Sequence, residues 1–143
     1  EKLQTMDVEY TPTMKPLAQG ETVIREATWT QKHPSNSSYS AYLTGLFEVY
    51  VYDGFRQVEK ATVGSGLSAG LNSADWIETN SIVQSELPAL DVNIAATGHF
   101  TATVNTSTGG SISIPGFSVT GSSGTTYQLA STPMTISKTF SVY

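Results

Sequence analysis

Gly66-Leu67-Ser68-Ala69-Gly70 has the G-x-S-x-G form of a nucleophile elbow, and Asp75, Asp91 and His99 follow it in the order Ser, Asp, His. A hydrolase of that type needs a parallel strand, a sharp turn and a helix, so that the serine hydroxyl stands proud of the sheet beside its base. No amphipathic run of helical length follows Gly70. A chain with 12 Gly and 18 Ser also produces this pattern by chance. No catalytic residue is therefore expected, and the chain is read as a non-enzyme.

Gly64-Ser65-Gly66 with Gly70 lacks the G-x-G-x-x-G spacing and the lysine of a phosphate-cradling loop, so no nucleotide cofactor is expected. His33 and His99, the two histidines, have no partner at H-x-H or H-x-x-x-H spacing. Asp7, Glu9, Asp75 and Asp91 form no dense D-x-D-x-D loop for calcium, so no metal site is expected. Glu48, Asp53 and Glu59 are brought close by a predicted hairpin. Arg56 and Lys60 come with them, and solvated pairing explains the group better than acid–base chemistry. Absence of Cys removes disulfides, thiolate metal sites and thiol nucleophiles together.

The elements that would position these residues are legible as alternation. In residues 92 to 104 the even positions Val92, Ile94, Ala96, Gly98, Phe100, Ala102 and Val104 are apolar or small, with polar residues at most of the positions between them. Tyr39, Ala41, Leu43, Gly45, Phe47, Val49 and Val51 make a second such face, with a kink expected at Gly45. Met134, Ile136, Phe140 and Val142 make a third. Residues 3–10 and 21–31 read as further strands, as do 111–114 and 117–120, whose phase changes at Pro115-Gly116. Gly109-Gly110 and residues 121–124 read as turns. In residues 72–87 the spacing of Asn72, Asp75 and Glu78 predicts a short helix at 73–79, followed by a strand at 80–86.

Asp53-Gly54 is a hairpin turn, and charge decides its register. A plain two-residue loop would set Glu48 against Glu59 and turn Arg56 and Lys60 toward the Phe47/Val49/Val51 face. A three-residue loop, Asp53 to Phe55, sets Glu48 against Lys60, Tyr52 against Arg56 and Phe47 against Ala61, at the expense of facing Val49 with Glu59. The three-residue loop is the expectation.

Seven to nine strands with at most one short helix, in a chain of 143 residues, predict one all-β domain spanning residues 1–143. The expected architecture is an antiparallel β-sandwich of immunoglobulin-like or jelly-roll-like type, with a small barrel as the alternative and residues 1–20 as a loosely packed arm.

Charge is sparse, at 13% of residues, and polarity comes instead from 18 Ser and 20 Thr. A net charge of −5 with seven Lys and Arg leaves no basic stripe for phosphates, so neither nucleic acid nor an anionic membrane is an expected partner. A Cys-free, hydroxyl-rich composition of this kind is expected of a secreted or cell-surface domain, bacterial in texture.

The remaining candidate surface is aromatic. Tyr42, Tyr50 and Tyr52 lie on one face of the strand that carries Phe47 on the other, and Trp29 and Trp76 fall in the same charged half of the chain. Exposed Tyr and Trp suit stacking on sugar rings or filling a protein interface. The expectation is an exported, non-catalytic module that binds a carbohydrate or protein partner through these five residues and the Gly/Ser loops. Two alternatives are a membrane-acting protein, since the charge-free segment 92–137 resembles in texture the hairpins of β-barrel pore-forming toxins, and a structural protein of a coat, fibre or matrix.

Overall fold

A computed structural model of the chain describes residues 4–10, 20–106 and 112–143, the first of these by backbone course alone. Among the described residues nine strands follow in order: β1 Gln4–Tyr10, β2 Glu21–His33, β3 Asn36–Tyr52, β4 Phe55–Ala69, β5 Asp75–Val83, β6 Asp91–Asn105, β7 Phe117–Ser123, β8 Thr126–Ser131 and β9 Met134–Ser141. Every paired neighbour is antiparallel. The first four strands form sheet A in the order β1-β2-β3-β4. The last five form sheet B, in the order β5-β6-β8-β7 with β9 also on β6. The chain thus crosses between layers once, at residues 70–74, and the product is a two-sheet sandwich rather than a closed barrel.

Alternation is what makes these strands bury one face each. Ala41, Leu43, Phe47 and Val49 of β3 are fully buried against Val92, Ile94 and Phe100 of β6 and Ile136 of β9. Phe47 of sheet A stacks on Phe140 of sheet B, with ring centroids 4.1 Å apart and planes 8° from parallel. Each such ring contributes roughly 1.5–3 kcal/mol by leaving water. Val92, Ile94, Ala96 and Phe100, at the start of the charge-free segment 92–137, lie in the sandwich core.

Gly45 is not a kink. β3 runs straight through it, and its missing side chain is what lets Phe47 and Ile94 meet: a Cβ there would overlap Phe47 Cζ and stand 2.9 Å from Ile94 Cδ1. The irregularities of the β3–β4 pair fall instead at Ser40/Ala41 and Glu48/Val49.

The hairpin reaches two of the expected pairs, Glu48 with Lys60 and Phe47 with Ala61, by another route, while Arg56 falls opposite Val51 in place of Tyr52. Asp53 and Gly54, with φ of 46° and 85°, form a two-residue turn that pairs Tyr52 with Phe55. One extra residue, Glu59, then bulges out between Val58, opposite Val49, and Lys60, opposite Glu48. The bulge supplies the one-residue shift that a longer loop was expected to supply, and it removes the unfavourable Val49/Glu59 facing as well.

No helix forms at 73–79. Asn72 and Ser73 take left-handed backbone angles (φ 58° and 54°), which turn the chain over into β5 before a helical turn can start. Trp76 then seals the gap between the sheets at 7% exposure, its Nε1–H donating to Ser65 Oγ at 2.9 Å. Burial of that indole outweighs the helix-start spacing around it. The strand expected at 80–86 is the second half of β5, which ends at Val83. Residues 112–114 are not strand, and β7 runs through Gly121, so the turn there is confined to Gly124 (φ 61°) and Thr125. The turn expected at Gly109-Gly110 lies outside the described residues. β1 places Gln4–Tyr10 within sheet A, beside β2.

Candidate functional site

The elbow-like serine does not stand on an elbow. Ser68 lies near the end of β4, where it is the residue left out of the ladder between Ala41↔Leu67 and Ser40↔Ala69. Gly66 has a packing role: a Cβ there would stand 2.5 Å from Tyr42 Oη, because the Tyr42 ring lies across its cross-strand partner. Asp91 and His99 are at opposite ends of one stretch of β6, eight residues and roughly 26 Å apart. The hydroxyl that does meet a carboxylate is Ser65, which donates to Glu78 Oε1 at 2.6 Å while accepting from Trp76. That contact ties the edges of β4 and β5 together.

Histidine fares similarly. His33 is 2% exposed, and its Nδ1 accepts the Ser35 amide at 3.0 Å. A lone pair is thereby committed at Nδ1, so the ring proton sits on Nε2, which donates toward Thr132 Oγ1 at 3.1 Å and Thr132 O at 3.3 Å. The ring also meets Phe100 edge-on at 5.9 Å and lies beside Phe117. It pins the β2–β3 turn to the β8–β9 connection through Thr132 and packs against the segment leading into β7, where Gly116 (φ 83°) leaves room that a Cβ would take from it, at 3.0 Å. His99 stands on the outer face of sheet B opposite Ile77. Among the described residues no three or more His, Asp or Glu side chains gather closely enough to hold a metal ion. A shallow depression of about 300 Å³ between β7 and β8 is lined by Gly121, Ser122, Ser123, Thr126 and Gln128, none of them titratable.

Aromatic side chains divide by face. Trp29 and Trp76, each 7% exposed, point into the core and do not join the tyrosines. Tyr42, Tyr50 and Tyr52 share the outer face of sheet A, with Leu46, and none of the three is buried. Tyr42 lies eight residues from Tyr50, over Gly66, and so stands apart from the other two. At the hairpin end Tyr50 packs over Gly20, whose Cβ position is 2.5 Å from the Tyr50 hydroxyl. The Tyr50 ring also meets Phe55 at 6.4 Å and 61°.

Phe55 is the residue that sequence reasoning missed. Assigned to the loop, it instead opens β4 as the partner of Tyr52, and the two are 46% and 43% exposed. Treating Asp53-Gly54 as a two-residue turn would have found it. Gln57, opposite Tyr50, donates through Nε2 to Glu59 Oε1 at 2.8 Å, so a polar pair borders the rings.

Comparison with protein-family models, with characterised proteins and with solved structures returned no match to this chain.

Proposed function

We propose that the chain is a non-catalytic binding module, working outside the cell, that recognises a carbohydrate or protein partner through the hairpin end of the outer face of sheet A. The observation that carries this reading is the grouping of Tyr50, Tyr52 and Phe55 on one face, two of them more than two-fifths exposed, in a molecule that buries both of its tryptophans. Rigid aromatic side chains with few torsions give contact area at low entropic cost, which is why they dominate recognition surfaces. The rings stand on the paired strands β3 and β4, so binding needs no rearrangement of backbone.

The test is an array printed with both saccharides and folded proteins, probed with the wild-type chain and with a Tyr52→Ala/Phe55→Ala variant. Contacts made by the wild type and lost in the variant support the reading. A wild type that makes no contact, or a variant that keeps every one, rejects it.

A further inference from the structure

The area and the chemistry of the hairpin patch select among the partners that the aromatic face could take. A Phe or Tyr side chain presents on the order of 200 Å², so Tyr52 and Phe55 at 43% and 46% exposure offer together about 200 Å². Each partner in a stable protein complex covers about 800 Å². One or two pyranose rings match these two side chains alone, whereas a protein partner would also have to cover the polar and charged surface around them.

Polar groups are placed as a sugar requires. Gln57 and Glu59, joined at 2.8 Å, stand on the same face beside Tyr50. An amide and a carboxylate side by side offer both donors and acceptors to a pair of vicinal hydroxyls. Charge narrows the class further. Glu48, Asp53 and Glu59 stand around the rings, while Lys60 lies opposite Glu48 and the Arg56 guanidinium donates to the Val142 carbonyl, so the local balance is negative, as is the net charge of −5, and a sulfated or uronic-acid polymer meets repulsion.

We infer that the Tyr50/Tyr52/Phe55 patch with Gln57 and Glu59 is a binding site for a neutral saccharide, the C–H face of one ring stacked on Tyr52 and Phe55 and its hydroxyls held by the Gln57–Glu59 pair. This rests on the reading of the aromatic face as a binding surface. The Tyr50–Phe55 edge contact holds the platform ring in place before ligand arrives.

Titration of the ¹⁵N-labelled full chain with cellohexaose, xylohexaose and mannohexaose, with a heparin hexasaccharide as the anionic comparison, tests the inference by amide chemical shifts. The expected result is a saturable response to at least one neutral hexasaccharide, confined to residues 50–59. The dissociation constant rises about tenfold or more in Tyr52→Ala and in Phe55→Ala and by a smaller factor in Gln57→Ala, with shifts elsewhere unchanged. Silence toward all three neutral sugars up to about 10 mM, a response to heparin alone, or shifts centred on another face overturns it. A soluble paramagnetic probe added to the same samples separates the two levels of argument. Broadened Tyr52 and Phe55 ring signals without any sugar response remove the saccharide alone, and protected ring signals remove the binding face itself.

Discussion

The Tyr143 hydroxyl accepts the Arg56 amide at 2.9 Å and donates to the Gly54 carbonyl at 3.1 Å, so one side chain from the layer of sheet B satisfies two backbone groups on the free side of the β3–β4 hairpin. Two residues further along, Val58 exchanges both of its backbone hydrogen bonds with Ala89, at 2.8 and 3.1 Å. An edge strand with bare N–H and C=O groups is a template for pairing with another molecule. Here the first turn of the edge is closed by a phenol and a loop in place of a strand. The same two contacts hold the aromatic hairpin end against the rest of the molecule.

Tyr143→Phe keeps the ring and removes both bonds. The expected cost is about 1 kcal/mol, since the site is exposed and water replaces part of what is lost. Urea unfolding measures it, and amide exchange at Arg56 should accelerate far more than exchange at Val58, whose partner is Ala89. Equal acceleration at both sites would show that the hydroxyl does not act locally.

His33→Ala leaves a cavity among Phe100, Phe117 and Gly116 and frees the Ser35 amide, with an expected loss of roughly 2–4 kcal/mol in chemical denaturation. Thr132→Val removes only the hydroxyl partner of Nε2, leaving the Thr132 carbonyl as acceptor, and should cost about 1 kcal/mol or less. A His33→Ala protein as stable as the wild type would contradict the pinning role.

Two glycines at strand positions should behave in opposite ways. A Cβ at Gly98 would overlap the Ile77 carbonyl oxygen and come within 2.6 Å of Trp76, and backbone cannot yield as a flexible side chain can. Gly98→Ala should destabilise by about 3 kcal/mol or more, or prevent folding. At Gly64 the nearest atom is Thr44 Cγ2 at 3.6 Å, an ordinary contact. Gly64→Ala should be neutral or stabilising by up to about 1 kcal/mol, because alanine restricts the unfolded chain. Thermal unfolding of both variants decides the matter.

Deleting Glu59 should leave a folded protein. The residues on either side already pair as Val49↔Val58 and Glu48↔Lys60, so removal straightens the bulge without moving a side chain to the other face. Deleting Thr62 shifts the alternation of β4, turns either the Val63/Leu67 side or the Val58 side outward, and should unfold the sheet. Circular dichroism of the two deletions, one native and one not, is the expected pair of results.

The hairpin shows where sequence reading reaches its limit. Opposing Glu48 with Lys60 and Phe47 with Ala61 follows from charge and from alternation, and both pairs occur. A three-residue loop and a two-residue loop followed by a bulge place those pairs identically. Pair energetics cannot separate them, and Phe55 went to the wrong element as a result. Face membership was similarly readable for Tyr42, Tyr50 and Tyr52, and Trp29 shares the phase of Ala27 and Val23 within β2, which marks it for the core. Trp76 was lost with the helix expected around it. Local capping patterns carry about 1 kcal/mol. An indole buried between two sheets outweighs them, and that contact, with β6 more than twenty residues away, is invisible to a short window.

β6 takes β5 on one flank and both β8 and β9, one after the other, on its second flank. In synthesis from the N-terminus, the meander of sheet A can pair strand by strand as it emerges, each hairpin closing on its predecessor. Half of the β6 ladder has to wait until residues 126–141 have left the ribosome. During that interval one flank of β6 has unpaired backbone N–H and C=O groups, so assembly of the second layer is the step at which a nascent chain of this design is most open to aggregation.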